Sequence, residues 1–134
     1  MASGMYISGV ASMMSGDIDL LNDTISALLI DTDFYTPNLS THTSQADIPE
    51  AAQIAELVLT GKTLDSTAFR ADDAVFNSVV GSKVAAIVLI KDTEVYETSL
   101  LICFLDNAPE FPIVPDGTDI TIKWDLGAEG IFKL

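Results

Sequence analysis

The sequence predicts a mainly β protein, an antiparallel β-sandwich or barrel-like fold with one or two short helices in a single domain of 134 residues. Three observations carry that expectation. Two apolar runs, Val84–Ile90 and Leu100–Leu105, are separated by the polar, charged segment Lys91–Ser99. Each run is too short to span a bilayer and is bounded by charge, the pattern of a strand buried on both faces. Joined by so short a connection, they should pair antiparallel at the centre of a sheet. The second observation is Asp119–Asp125, D-I-T-I-K-W-D, whose polar and apolar residues alternate with period two as in a half-buried strand. The third is the density of turn signals between short apolar segments, which suits six or seven strands better than long helices.

Met1–Ser15 mixes Gly, Ser and Ala with Met5, Tyr6, Ile7, Val10, Met13 and Met14 at helix-like spacings. A short amphipathic helix, weakened by Gly4 and Gly9, and an arm that orders only against a partner both fit this pattern. Gly16–Asp23 is expected to be a turn with a short helical segment around Asp17–Leu21. Thr24–Ile30, closed by Asp31-Thr32-Asp33, is expected to be another central strand. Phe34–Thr43 is a loop, given Pro37-Asn38 and its Ser and Thr content. Asp47-Ile48-Pro49-Glu50 then carries the capping pattern of a short helix running to about Ala55, followed by a strand around Glu56–Thr60.

After Ala71-Asp72-Asp73, the segment Ala74–Val80 is a strand candidate that Gly81-Ser82 turns into the central pair. Pro109, Pro112 and Pro115 make Asn107–Gly117 an irregular crossing loop. Gly127–Gly130 should turn the chain into a final short strand at Ile131–Leu134.

The formal charge is −14, with only six Lys plus Arg. A chain this acidic lacks the electrostatic means to hold nucleic-acid phosphates, and the same sign disfavours an anionic membrane surface. An acidic surface keeps copies soluble and apart. Met1–Gly16 lacks the basic residues that open a secretory signal, so the chain is expected to stay in the cytoplasm in which it is made.

Few residues suggest chemistry. Cys103, the only cysteine, lies within an apolar run, where a thiol acts as a small hydrophobe. His42 is the only histidine and has no Cys nearby to complete a zinc site. A Ser–His–acid triad can be assembled on paper, yet no nucleophile setting such as G-x-S-x-G occurs. Acid pairs stand at Asp17/Asp19, Asp31/Asp33, Asp72/Asp73 and Asp116/Asp119. Solvated turn aspartates are the plain reading. The alternative is a calcium loop, with Asp31-Thr32-Asp33 the first candidate, although none matches the twelve-residue pattern. Gly61-Lys62-Thr63 lacks the upstream glycine of a phosphate-binding loop. Trp124 and Tyr96 are expected to be core and rim aromatics. The expectation is therefore a protein without enzymatic activity, catalytic residues, metal or cofactor.

Several strings taken together resemble a family of small virion structural proteins of tailed bacteriophages. They are G-D-I-D-L-L-N-D-T-I-S-A-L-L-I-D-T from Gly16, L-T-G-K-T-L from Leu59, A-D-D-A-V-F from Ala71, V-A-A-I-V-L-I-K-D-T from Val84, and the terminal D-I-T-I-K-W-D-L-G-A-E-G-I-F-K-L. They cover most of the chain; Asp47–Val58, which reads as more helical, departs most from the family.

The resemblance implies a head decoration or cement protein, made in the bacterial host cytoplasm and carried on the outer capsid surface of the virion. Its expected partners are the major capsid protein and further copies of itself, commonly as a trimer, without nucleic acid or membrane. The apolar residues outside regular structure, Met5, Tyr6, Met13, Phe111, Ile113 and Val114, are the candidate partner contacts. A tail or neck subunit, either tube or adaptor, is the alternative. A displayed host-glycan binding module would need the aromatics Tyr6, Phe34, Tyr35 and Tyr96 to be exposed.

Overall fold

A computed structural model describes residues 4–106, 108, 110–124 and 130–133. In chain order these form strand β1 (Gly4–Met5), helix α1 (Ile7–Ser15), β2 (Ile25–Ile30), β3 (Gln53–Val58), β4 (Thr63–Asp65), β5 (Ala68–Arg70), β6 (Ala74–Phe76), β7 (Ala86–Lys91), β8 (Leu100–Leu105), β9 (Ile120–Ile122) and β10 (Phe132–Lys133). All strand pairings are antiparallel, so the protein is mainly β with a sandwich-like arrangement.

The main sheet has five strands in the order β1-β8-β7-β2-β3. The two apolar runs do pair, with Val88 opposite Phe104 and Leu89 opposite Cys103, and β7 lies at the sheet's centre. All of β2 is buried, as a strand covered on both faces requires. Its alternate residues feed two different clusters. Ile25, Ala27 and Leu29 join Ile87, Leu89 and Ile102 beneath two small sheets, β10-β5-β4 and β6-β9. Those sheets contribute Phe69, Phe76, Ile120, Ile122 and Phe132, and Trp124 just past β9 joins them. On the other face, Leu28, Ile30, Val88 and Ile90 are covered by Tyr6, Tyr35, Ile48 and Ala52.

The N-terminal segment is part of this domain. Gly4 and Met5 pair with Phe104 and Cys103, and Tyr6 N–H donates to the Ile102 carbonyl at 3.0 Å. Helix α1 lies against β8 because Gly9 has no side chain. A Cβ there would stand 2.9 Å from Ile102 Cα and nearer still to the Leu101 carbonyl oxygen, both backbone atoms that cannot move aside. Gly16 ends the helix in the left-handed conformation, φ 87°, returning its N–H to the last turn.

Four local expectations are corrected. Asp17–Leu21 is not helical: the Asp19 carboxylate takes the N–H groups of Leu21 and Asn22, an Asx-type turn that competes with a helix. The helix expected from Asp47 is instead two 3-10 turns, Gln45–Asp47 and Glu50–Ala52, the first closed by a Ser44/Asp47 capping box. Strand β3 therefore begins at Gln53, not Glu56. Ala74–Val80 is a strand only to Phe76, because Ser78 takes a positive φ of 50° while its N–H bonds Asp119. The β4–β5 hairpin was not foreseen, since Ser66-Thr67 turns it without glycine or asparagine, Ser66 taking φ 58°. The Gly127–Ala128-Glu129 part of the expected last turn lies outside the described residues.

Candidate functional site

The apolar contact residues proposed from sequence do not form one surface. Tyr6 is fully buried and cannot be a partner contact: it is the residue preceding α1, and its hydroxyl bonds that of Tyr35 at 2.7 Å. Met5 and Met13 are half-buried and packed on the core through β1 and α1. The expectation of an N-terminal arm that reaches outward is thereby corrected for its described part, because strand pairing and helix docking occupy that part.

Phe111 and Ile113 also lean on the core, with Val84 and Ile113 exchanging backbone hydrogen bonds of 2.7 and 2.8 Å. Val114, the next residue, points away and is 73% exposed. The neighbouring turn presents Val80, 71% exposed, and is tied to the same loop by Gly117 N–H to Val79 O and Val79 N–H to Thr118 O. Val80 and Val114 thus crown two loops stitched together. Sequence reasoning placed Val80 in a strand and so missed it; the signal was the Ser78 and Gly81 pair on either side.

A second apolar surface lies at the far side of α1. Met13, Leu20, Leu21, Leu64 and Phe132 line a shallow groove between the Gly16–Asp23 turn and the β4–β5 hairpin. Leu21 and Leu64 are exposed there.

The titratable residues are structural. Cys103 is buried, and burial pushes its thiol up to about 12, away from nucleophilic use. Asp31 accepts from Ser82 Oγ at 2.6 Å and from Asp33 N–H, and the Ser82 bond foremost holds its carboxyl below the usual range. Asp33 in turn pairs with Lys83 at 2.9 Å. The first calcium candidate is thus a clamp between the end of β2 and the turn before β7. Asp116 bonds the Thr118 hydroxyl and N–H, and Asp119 accepts from Ser78, so these too close turns. Among the described residues no group of three or more His, Cys, Asp or Glu could hold a metal ion.

Lys62 donates to the Asp23 carbonyl, in keeping with a chance Gly-Lys-Thr string. Trp124 is a core aromatic whose indole N–H bonds Asp72 O at 3.0 Å. Of the four aromatics a glycan platform would need, Tyr6 and Tyr35 are buried, leaving Phe34 and Tyr96 exposed.

One acid pair is different. Partial desolvation on the edge strand β3, and then a hydrogen bond shared with Asp92 just after β7, push the Glu56 carboxyl up to about 7. Burial opposes ionisation of Asp92, but bonds from Glu94 N–H, Glu56 and Ser26 outweigh it and lower its carboxyl. One carboxyl keeps a proton so that the other can accept it.

No protein-family model matches this chain. No curated protein matches it either.

Proposed function

We propose that the protein is a structural protein of a tailed-bacteriophage virion, a decoration or cement protein that binds the outside of the major capsid lattice. The observation that carries this reading is the surface chemistry: a closed core that leaves apolar side chains exposed, Val80 and Val114 on two joined loops and Ile7 and Met14 on α1, on an otherwise acidic exterior. The ordered strings from Gly16 to Leu134 that resemble phage virion proteins support it, as fold-level likeness rather than as a site.

A cement protein works by burying area against its neighbours. Modest contacts repeated over a lattice act multivalently, so a small apolar contact is enough when many copies are linked. The exposed valines supply such a contact, and the acidic remainder keeps unbound copies apart. Four of the basic side chains, Lys62, Arg70, Lys83 and Lys91, are engaged by the chain's own carboxylates or carbonyls, which leaves the outward charge negative. Such a surface does not compete for the packaged genome.

Cryo-electron microscopy of purified particles tests the reading. The expected result is density for this chain at regular positions over the outer shell. Rings below the portal would replace it with a tail or neck role, and absence from particles would overturn it.

A further inference from the structure

We propose that His42 is the acid-sensitive element of a latch, in which its ring, bonded to Asn38 and Tyr35 and through Tyr35 to Tyr6, holds the first turn of α1 on the sheet. The proposal stands independently of the virion reading.

The state of the imidazole follows from one backbone group. Asn38 N–H lies 3.1 Å from His42 Nδ1, and an amide N–H can only donate. Nδ1 is therefore an unprotonated acceptor, with the ring proton on Nε2. Tyr35 Oη lies 2.9 Å from the same nitrogen, so its hydroxyl donates to the one lone pair that it shares with Asn38 N–H. With the Tyr35 proton committed, the 2.7 Å bond between the phenols runs from Tyr6 to Tyr35. A single backbone donor thus orients a chain of three side chains. The Tyr35 and His42 rings also stack, with centroids 5.5 Å apart.

The same turn grips the helix. Ile7 N–H donates to Leu39 O at 2.9 Å, and Ser8 Oγ donates to His42 O at 3.3 Å. Both carbonyls belong to Asn38–His42, a turn closed by His42 N–H to Asn38 O and by the Asn38 carboxamide to Ser40 and Thr41 N–H. Tyr6 is the residue on which α1 begins.

Protonation of Nδ1 sets two donors against each other. The phenol chain can reverse its direction, since each hydroxyl both donates and accepts. The Asn38 N–H cannot reverse and loses its acceptor. The imidazolium and that N–H, which is exposed and can turn to water, push apart, and the turn whose carbonyls hold Ile7 and Ser8 loosens. Opening takes up a proton, so falling pH favours it. The groups facing the ring are the Tyr35 phenol, the Tyr6 phenol behind it, and the Asp47 carboxylate, with the Cys103 thiol beyond Tyr6. Burial keeps both phenols and the thiol neutral. Asp47, held ionised by Thr43 and Ser44 N–H, is the counter-charge that the imidazolium meets.

The test is amide hydrogen exchange on the full chain between about pH 7.5 and pH 5, the span in which histidine ordinarily changes charge, corrected for intrinsic exchange. Exchange in Tyr6–Ser15 and Asn38–His42 should rise about threefold to tenfold on acidification, the scale of one lost hydrogen bond, while the β7–β8 amides stay protected. His42→Asn, which keeps an acceptor near the Nδ1 position and does not titrate, should hold the segment closed throughout. An acid response that persists in H42N, or protection unchanged by pH in the parent, overturns the proposal. Should H42N fold poorly, nitrogen chemical shifts of the parent's imidazole decide: a proton on Nδ1 at neutral pH overturns the latch, and one on Nε2 supports it.

Discussion

The N-terminal segment and the proline-containing loop before β9 look alike in sequence, yet the structure uses them in opposite ways. Both are short, carry apolar residues between small or turn-forming ones, and stand apart from the central strands. Residues 4–15 are drawn in: β1 pairs with β8, Gly9 lets α1 touch the backbone of Leu101 and Ile102, and Tyr6 is sealed beneath Tyr35. Among its described residues the proline loop is tied by the Val84–Ile113 exchange and by the bond from Gly117, and it turns Val114 to solvent. Proline has no N–H, so a segment punctuated by Pro112 and Pro115 cannot continue as a paired strand.

The largest expected effect breaks the docked half of this pair. Gly9→Ala raises helix propensity by about 1 kcal/mol but drives a methyl into the β8 backbone at the upper end of overpacking costs, about 3 kcal/mol, so a net loss of about 2 kcal/mol is expected. Urea unfolding of the variant measures this, and a midpoint above that of the parent would show that α1 does not depend on close approach.

Ser82→Ala acts on the turn that supports the loop side. Buried Asp31 loses its 2.6 Å partner, and about 1 kcal/mol should be lost near neutral pH, the modest end because Ser82 is exposed. The Asp31 carboxyl is held below its usual range, so its stabilisation is present above that range and disappears as pH falls through the folded value. The gap between S82A and parent should therefore close in strong acid; a gap constant with pH would argue against the carboxylate as its cause.

The opposite edge of the sheet gives a smaller effect of opposite sign. Glu56 has a carboxyl raised from 4.5 to about 7, so the folded chain binds the extra proton and stability falls as pH rises between those values. Glu56→Gln imitates the protonated form. Because Glu56 is solvent-exposed, screening limits the gain at pH 8 to less than about 1 kcal/mol, and the gain should vanish by about pH 4.5. Thermal melts at the two pH values check this, and a destabilised E56Q at pH 8 would contradict proton sharing with Asp92.

The smallest effect on stability sharpens the displayed half. Val114→Glu changes a side chain 73% exposed and should alter unfolding by no more than about 0.5 kcal/mol. Under the proposed function it should nonetheless lower the number of copies on particles, counted by quantitative gel or mass spectrometry. Unchanged occupancy would remove Val114 from the contact surface.

What could be read in advance was what depends on local pattern. The continuous apolar runs of β7 and β8 and the alternation of β9 state their own burial, because period and composition are properties of a few consecutive residues. The capping signal at Asp47 was present too, but the chain uses it for a 3-10 turn whose Ser44 cap precedes it, since β3 must begin at Gln53 to meet Ile30. The candidate contacts were legible only in part. Val114 stands where its prolines suggested, whereas Tyr6 and Val80 exchanged roles: the aromatic went inside and the strand-like valine came out.

By itself the sequence determined the class of fold, the acidic exterior and the inert cysteine, because apolar periodicity, net charge and burial of a thiol inside an apolar run need no knowledge of partners. Only the tertiary structure decided which loose segment is bound and which is shown. That choice rests on contacts between residues distant in the chain: Gly9 against Ile102, Tyr6 against Tyr35, and Val84 against Ile113. No local pattern records such contacts, since each depends on a neighbour that the chain brings up only when folded.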